Sequence, residues 1–83
     1  MDLAYTEHAS HVVKVRAIQH EWIVSTLEKP VLREPDPKDH ELERFYRQIP
    51  EFGDRVLRVV VNTRLAPWRI VSVFFDRRMK GKL

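Results

Sequence analysis

The sequence predicts an α+β domain in which two N-terminal helices pack on one face of a three-stranded antiparallel meander. Three observations predict it. Apolar residues recur at helical spacing between Thr6 and Leu27. They alternate with polar ones in two later runs, RVLRVVVN and WRIVSVFFD. Prolines and a glycine punctuate the stretches between these segments. At 83 residues the chain is long enough for one small domain with a modest core.

The helical hairpin spans residues 6–29. Thr6 precedes Glu7, His8 and Ala9, so its hydroxyl is placed to cap the first amides of a helix. Ala9, Val12, Val13, Arg16 and Ala17 share one side of that helix, and Lys14 and Arg16 put cations in its last turn. A second helix starts near Gln19 or His20 with an apolar stripe of Trp22, Ile23, Thr26 and Leu27. Pro30 ends it by excluding the helical conformation at Lys29. Trp22, the largest apolar side chain of either helix, is expected to anchor the hairpin on the sheet.

Residues 30–41 place three prolines among acidic side chains and read as an exposed connector. The sheet is expected over residues 43–76. Its first strand, Glu43 to Ile49, turns Phe45 and Ile49 one way and Arg44, Tyr46 and Gln48 the other. The second, Arg55 to Asn62, buries Leu57, Val59 and Val61 and presents Val56, Arg58 and Val60. The third, Trp68 to Asp76, buries Val71, Val73 and Phe75 and presents Trp68, Ile70, Ser72 and Phe74. Residues 77–83 form a basic tail. Helices on one face leave Arg44, Tyr46, Arg58, Val60, Trp68, Ile70 and Phe74 on an open face. That face is too apolar to be merely wetted, which calls for nucleic acid, a protein partner or a second copy upon it.

Composition narrows the class. With 43% hydrophobic and 33% charged residues the chain is globular rather than disordered. It has no cysteine, which excludes a disulfide framework, a thiolate metal site and a cysteine nucleophile. The start, MDLAYTEHASH, does not read as a signal peptide, and no apolar run approaches the roughly 18 residues of a membrane span. A cytoplasmic protein without membrane contact is the expectation. Charge is unevenly spread. From Gly53 onward eight Lys/Arg face two Asp, a net of +6, whereas residues 1–52 hold seven Lys/Arg against ten Asp/Glu, a net of −3. Such segregation points to a polyanionic partner, most simply RNA.

The order of several short motifs resembles one bacterial family. They are T-x-H-A at Thr6 to Ala9, Arg16 followed by Ile18, an E-W-I helix and a proline break. F/Y-x-R before a turn, R-V-L-R-V-V-V and I-V-S-V-F-F-D-R-R follow. The match runs from Thr6 to Arg78, to an uncharacterised domain family affiliated with RelE/ParE/BrnT-type toxins. The tight glycine turn common between the family's helices is replaced here by Arg16-Ala17-Ile18-Gln19-His20. The resemblance implies a toxin-like fold that engages RNA through its open sheet face; it transfers no fixed catalytic set.

His8 and His11 are spaced to share a metal, but no third ligand joins them, so neither metal nor cofactor is expected. His8 is instead a candidate acid or base for a 2′-hydroxyl, since imidazole titrates near neutrality. Arg16 reads as a helix-dipole partner or as one half of an ion pair with Glu28 or Asp76. Arg44, Tyr46 and Arg58 share a face of adjacent strands, where cross-strand neighbours lie ~5 Å apart. Arginine can stabilise charge on a phosphorane-like transition state, and tyrosine can stack a base. Arg77, Arg78, Lys80 and Lys82 suit a phosphate backbone, or an acidic antitoxin-like protein. The expected function is therefore a toxin-like, metal-independent RNA-binding or RNA-cleaving protein. His8, Tyr46 and Arg58 are the catalytic candidates, and Arg44, Arg77, Arg78 and Lys80 hold phosphate. The alternative is a non-enzymatic interaction domain that uses its open sheet face for a protein partner or a homodimer.

Overall fold

A computed structural model describes residues 1–83. In chain order it contains strand β1 (Leu3–Tyr5), helices α1 (Glu7–Val15) and α2 (His20–Glu28), and strands β2 (Leu32–Pro35), β3 (Leu42–Ile49), β4 (Arg55–Asn62) and β5 (Trp68–Phe75). Single 3-10 turns occupy Pro50–Phe52 and Arg77–Met79. The α+β class stands, but the three-stranded antiparallel meander does not. One mixed sheet of five strands runs β1-β5-β4-β3-β2, with β1 parallel to β5 and every other pair antiparallel.

Both additional strands lie at edges, and each has a physical reason to escape the pattern. β1 is three residues long, too short for alternation to register. It gains its hydrogen bonds from Trp68–Ile70 at the far end of the chain. β2 lies inside the supposed connector and pairs with β3, Leu32 opposite Tyr46 and Glu34 opposite Arg44. Proline is tolerated there because an edge strand needs only half its donors, and Pro35 ends the strand.

Thr6 caps α1, its Oγ1 accepting from the Ala9 amide at 3.1 Å. α1 ends in a Schellman turn in which Ile18 N–H donates to Val13 O (3.0 Å) and Ala17 N–H to Lys14 O (3.3 Å). Ala17 takes the left-handed position with φ 54°. Ile18, drawn inward by this turn, is buried. α2 buries Ile23, Thr26 and Leu27, and Trp22 meets Phe75 edge-on at 6.0 Å.

Beneath the helices lie Phe45, Ile49, Leu57, Val59, Val61, Ile70 and Val73. Ile70 belonged to the opposite face by strict alternation, and Val71 to this one. A bulge explains the reversal: Val60 pairs with Ser72 and Val61 with Ile70, so Val71 is an extra residue in β5. One extra residue shifts the phase of everything before it. Trp68 consequently packs against the same core, stacking obliquely on Phe45 at 5.7 Å.

The other face is not open as expected. Val56, Tyr46 and Val60 upon it are 1%, 2% and 7% exposed. The last residues are no free tail either. Asp76 N–H donates to Val56 O (2.8 Å), its carboxylate caps the Arg77–Met79 turn, and Gln48 Nε2 donates to Leu83 O (3.3 Å). No helix is long and apolar enough to cross a membrane.

Candidate functional site

β1 covers only the first part of β5. After Thr6 N–H donates to Ile70 O (3.0 Å) and Thr6 Oγ1 to Val71 O (3.3 Å), the chain turns away into α1. A cleft of about 710 Å³ opens beside the rest of β5. Ser72 to Asp76 form its floor. α1 supplies His8, Val12 and Arg16, a stripe at i, i+4 and i+8. Arg55 enters from β4, and Arg77 and Lys80 from the C-terminal turn.

The electrostatics of this cleft are one-sided. His8, Arg16, Arg55, Arg77 and Lys80 are all exposed, and none forms an ion pair. Arg55 instead rests over the Phe52 ring at 4.5 Å. The single acid, Asp76, is 6% exposed and already engaged. Its Oδ2 lies 3.5 Å from Arg58 Nη1, and its Oδ1 accepts from the Arg78 amide at 3.1 Å. Asp76 holds the turn that carries Arg77 and Lys80 to the rim.

The arginine–tyrosine group of the strands has a different setting. Arg44, Tyr46 and Arg58 do share a face, with Tyr46 directly opposite Arg58. Each is engaged within the chain. Tyr46 OH donates to Glu34 Oε1 (3.1 Å), Arg44 Nε donates to Asp36 Oδ2 (3.0 Å), and Arg58 lies over the Phe74 ring at 4.1 Å. Arg58 Nε is buried without a hydrogen-bond partner. Burial would lower the Arg44 pKa, but hydrogen bonds to Tyr46 and Asp36 outweigh it and raise the value. The Lys38 amide, against some cost of burial and helped by the Asp39 amide and Arg44, holds the Asp36 carboxyl below the usual range. Burial raises the Tyr5 hydroxyl. At 2% exposure Tyr46 offers no free ring face to a base.

A family model described as "Domain of unknown function (DUF4258)" matches residues 5–75. The chain belongs to this family. No curated protein and no solved structure matches it. The matched span of this DUF4258 domain begins in β1 and ends with β5, so it takes in both helices and nearly all of the sheet.

Within the domain the structure brings His8, Arg77 and Lys80 together on one cleft and leaves Arg44, Tyr46 and Arg58 outside its lining. Arg78 is 85% exposed, with Nε 3.8 Å from Asp76 Oδ1. His11 lines a separate shallow depression with Glu7 and Lys14, away from His8. Sequence reasoning missed Arg55 and the cleft role of Arg16. The i, i+4, i+8 relation of His8 to Arg16 was a readable signal. The place of Arg55 depended on β5 lying beside β4. Arg16 forms no ion pair with Glu28 or Asp76.

Proposed function

We propose that the cleft binds the phosphate backbone of single-stranded RNA, and that the domain is a metal-independent RNA-binding and RNA-cleaving protein of the toxin-like kind. The carrying observation is the convergence of four unpaired Lys/Arg side chains and His8 on a cleft whose only carboxylate is neutralised internally. Phosphate is the ligand such a site favours, and flexible single strands suit a narrow cleft better than a duplex does. The toxin affiliation rests on the resemblance of the motifs. In the cleavage step His8 takes the proton of a 2′-hydroxyl, whose oxygen attacks the adjacent phosphorus. The P–O5′ bond breaks, a 2′,3′-cyclic phosphate forms, and the 5′-oxygen leaves with a proton from solvent. Arg16, Arg55 and Arg77 stabilise the charge on the phosphoryl oxygens.

Anisotropy of a labelled single-stranded RNA tests the binding. Affinity is expected to fall steeply between about 50 and 200 mM salt. Arg16→Gln and Arg55→Gln should each weaken it several-fold, while Arg64→Gln and Arg69→Gln, exposed cations outside the cleft, should not. His8→Ala should bind RNA but yield no cyclic-phosphate product. Absence of binding at low salt, or equal losses at all four arginines, refutes the site.

A further inference from the structure

Arg33 lies over the Phe45 ring, Arg58 over Phe74 and Arg55 over Phe52. The first two guanidiniums are committed to carboxylates, Arg33 to Glu43 and Arg58 to Asp76. Arg55 has no acid, and it is exposed. The turn before β4 builds its contact. Pro50–Phe52 form a 3-10 turn, Gly53 and Asp54 follow with φ of 66° and 56°, and Asp54 N–H donates to Ile49 O at 3.0 Å. This tight reversal brings Phe52 and Arg55 together, with the guanidinium carbon 4.5 Å from the ring centroid. Phe52 stays 38% exposed, yet it is held firmly. It stacks on Trp22 at 5.5 Å with an interplanar angle of 24°, and it tilts against Phe75 at 5.0 Å.

An aromatic array thus reaches the surface beneath a guanidinium that no carboxylate holds. Arg55 and Phe75 also line the cleft, so the array is continuous with the cations Arg16, Arg77 and Lys80. Every nucleobase has a π-face that stacks on aromatic rings and on guanidinium planes. We propose that this array is a nucleobase subsite. One base of a single-stranded RNA stacks on Arg55 and the exposed part of Phe52, while the adjoining phosphate lies among the cleft cations. Glu51 and Asp54, exposed on the same turn, disfavour a phosphate there but not an uncharged base. The two roles of Arg55 do not compete, since the face of a guanidinium stacks while its N–H edge donates to phosphate. Purines bind more tightly than pyrimidines, because their larger ring system covers more of the array. The subsite rests on the RNA reading for its ligand and on the aromatic geometry for its place.

The probes are labelled hexamers of adenosine, of uridine and of abasic ribose phosphate, equal in charge and titrated in one low-salt buffer. The adenosine strand is expected to bind about tenfold more tightly than the abasic strand, the lower part of what one stacked base contributes. It should exceed the uridine strand about threefold. Arg55→Lys keeps the cation and removes the plane, whereas Phe52→Leu keeps an apolar side chain against Trp22 and removes the ring. Each is expected to cut the adenosine-to-abasic ratio to about threefold or less, in a protein that melts cooperatively. A role in phosphate contact or folding alone would lower the affinity for all three strands alike and leave the ratios unmoved. Equal binding of the three strands by the wild-type protein overturns the subsite and leaves the RNA reading standing. A ratio that either substitution leaves at its wild-type value does the same. Binding of none of the strands overturns the RNA reading, and the subsite with it.

Discussion

Ala17 stands where helices commonly place glycine. Its φ of 54° costs an L-residue with a Cβ roughly 1–2 kcal/mol, offset in part because glycine is freer in the unfolded chain. The two Schellman hydrogen bonds and the burial of Ile18 hold it there. Ala17→Gly is therefore expected to stabilise the domain by about 0.5–1 kcal/mol, read as a higher midpoint in urea unfolding; an unchanged or lower midpoint would show the strain to be absent. The sequence flagged this junction as unusual, yet not that alanine adopts the glycine conformation. The strand residues teach a related lesson. Period-2 alternation correctly set Arg44, Tyr46 and Arg58 on one face. It could not tell that Asp36 would pair with Arg44 and Glu34 accept from the Tyr46 hydroxyl, because those acids sat in a segment read as an exposed connector. Which arginines are free for a ligand is decided by partners distant in sequence.

At the level of elements, β3, β4 and β5 fall within a residue of where the alternation put them, because long half-buried strands carry many repeats of the signal. The faces of β5 were legible only beyond the bulge, from Ser72 onward. Reading W-R-I-S-V-F-F without Val71 gives Trp68, Ile70, Val73 and Phe75 inward and Arg69, Ser72 and Phe74 outward, in unbroken alternation. The bulge thus accommodates one surplus residue rather than repairing a faulty pattern. Deletion of Val71 is accordingly expected to leave a folded, cooperative domain that loses chiefly the Thr6 Oγ1–Val71 O contact, on the order of 1 kcal/mol. Ile70→Asp, which buries an unpaired carboxylate in the core, should abolish folding. Circular dichroism melts compare the two. A Val71 deletion that unfolds as completely as Ile70→Asp would mean that the bulge's extra twist, and not merely its count of residues, is needed to seat α1.

Over the whole molecule, charge is sorted more sharply than along the sequence. Five of the ten acids of the first half lie in or between β2 and β3, where Glu43 pairs with Arg33 and Asp36 with Arg44, while unpaired cations gather at the cleft beside β5. The +6 excess of the last third was legible from composition, but its focus was not, since α1 supplies His8 and Arg16 from the opposite end of the chain. The C-terminal turn is the decisive contributor. Arg77 and Lys80 reach the rim because Asp76 caps their turn and Gln48 holds Leu83, contacts that neither cation makes itself. Replacing both by glutamine should leave the melting temperature unchanged, because no packing or hydrogen bond of the fold depends on their charge. If each neutralises one phosphate, the slope of log affinity for single-stranded RNA against log salt should become shallower by about 1.4, two contacts at roughly 0.7 apiece. An unchanged salt slope with wild-type stability would place RNA elsewhere on the surface.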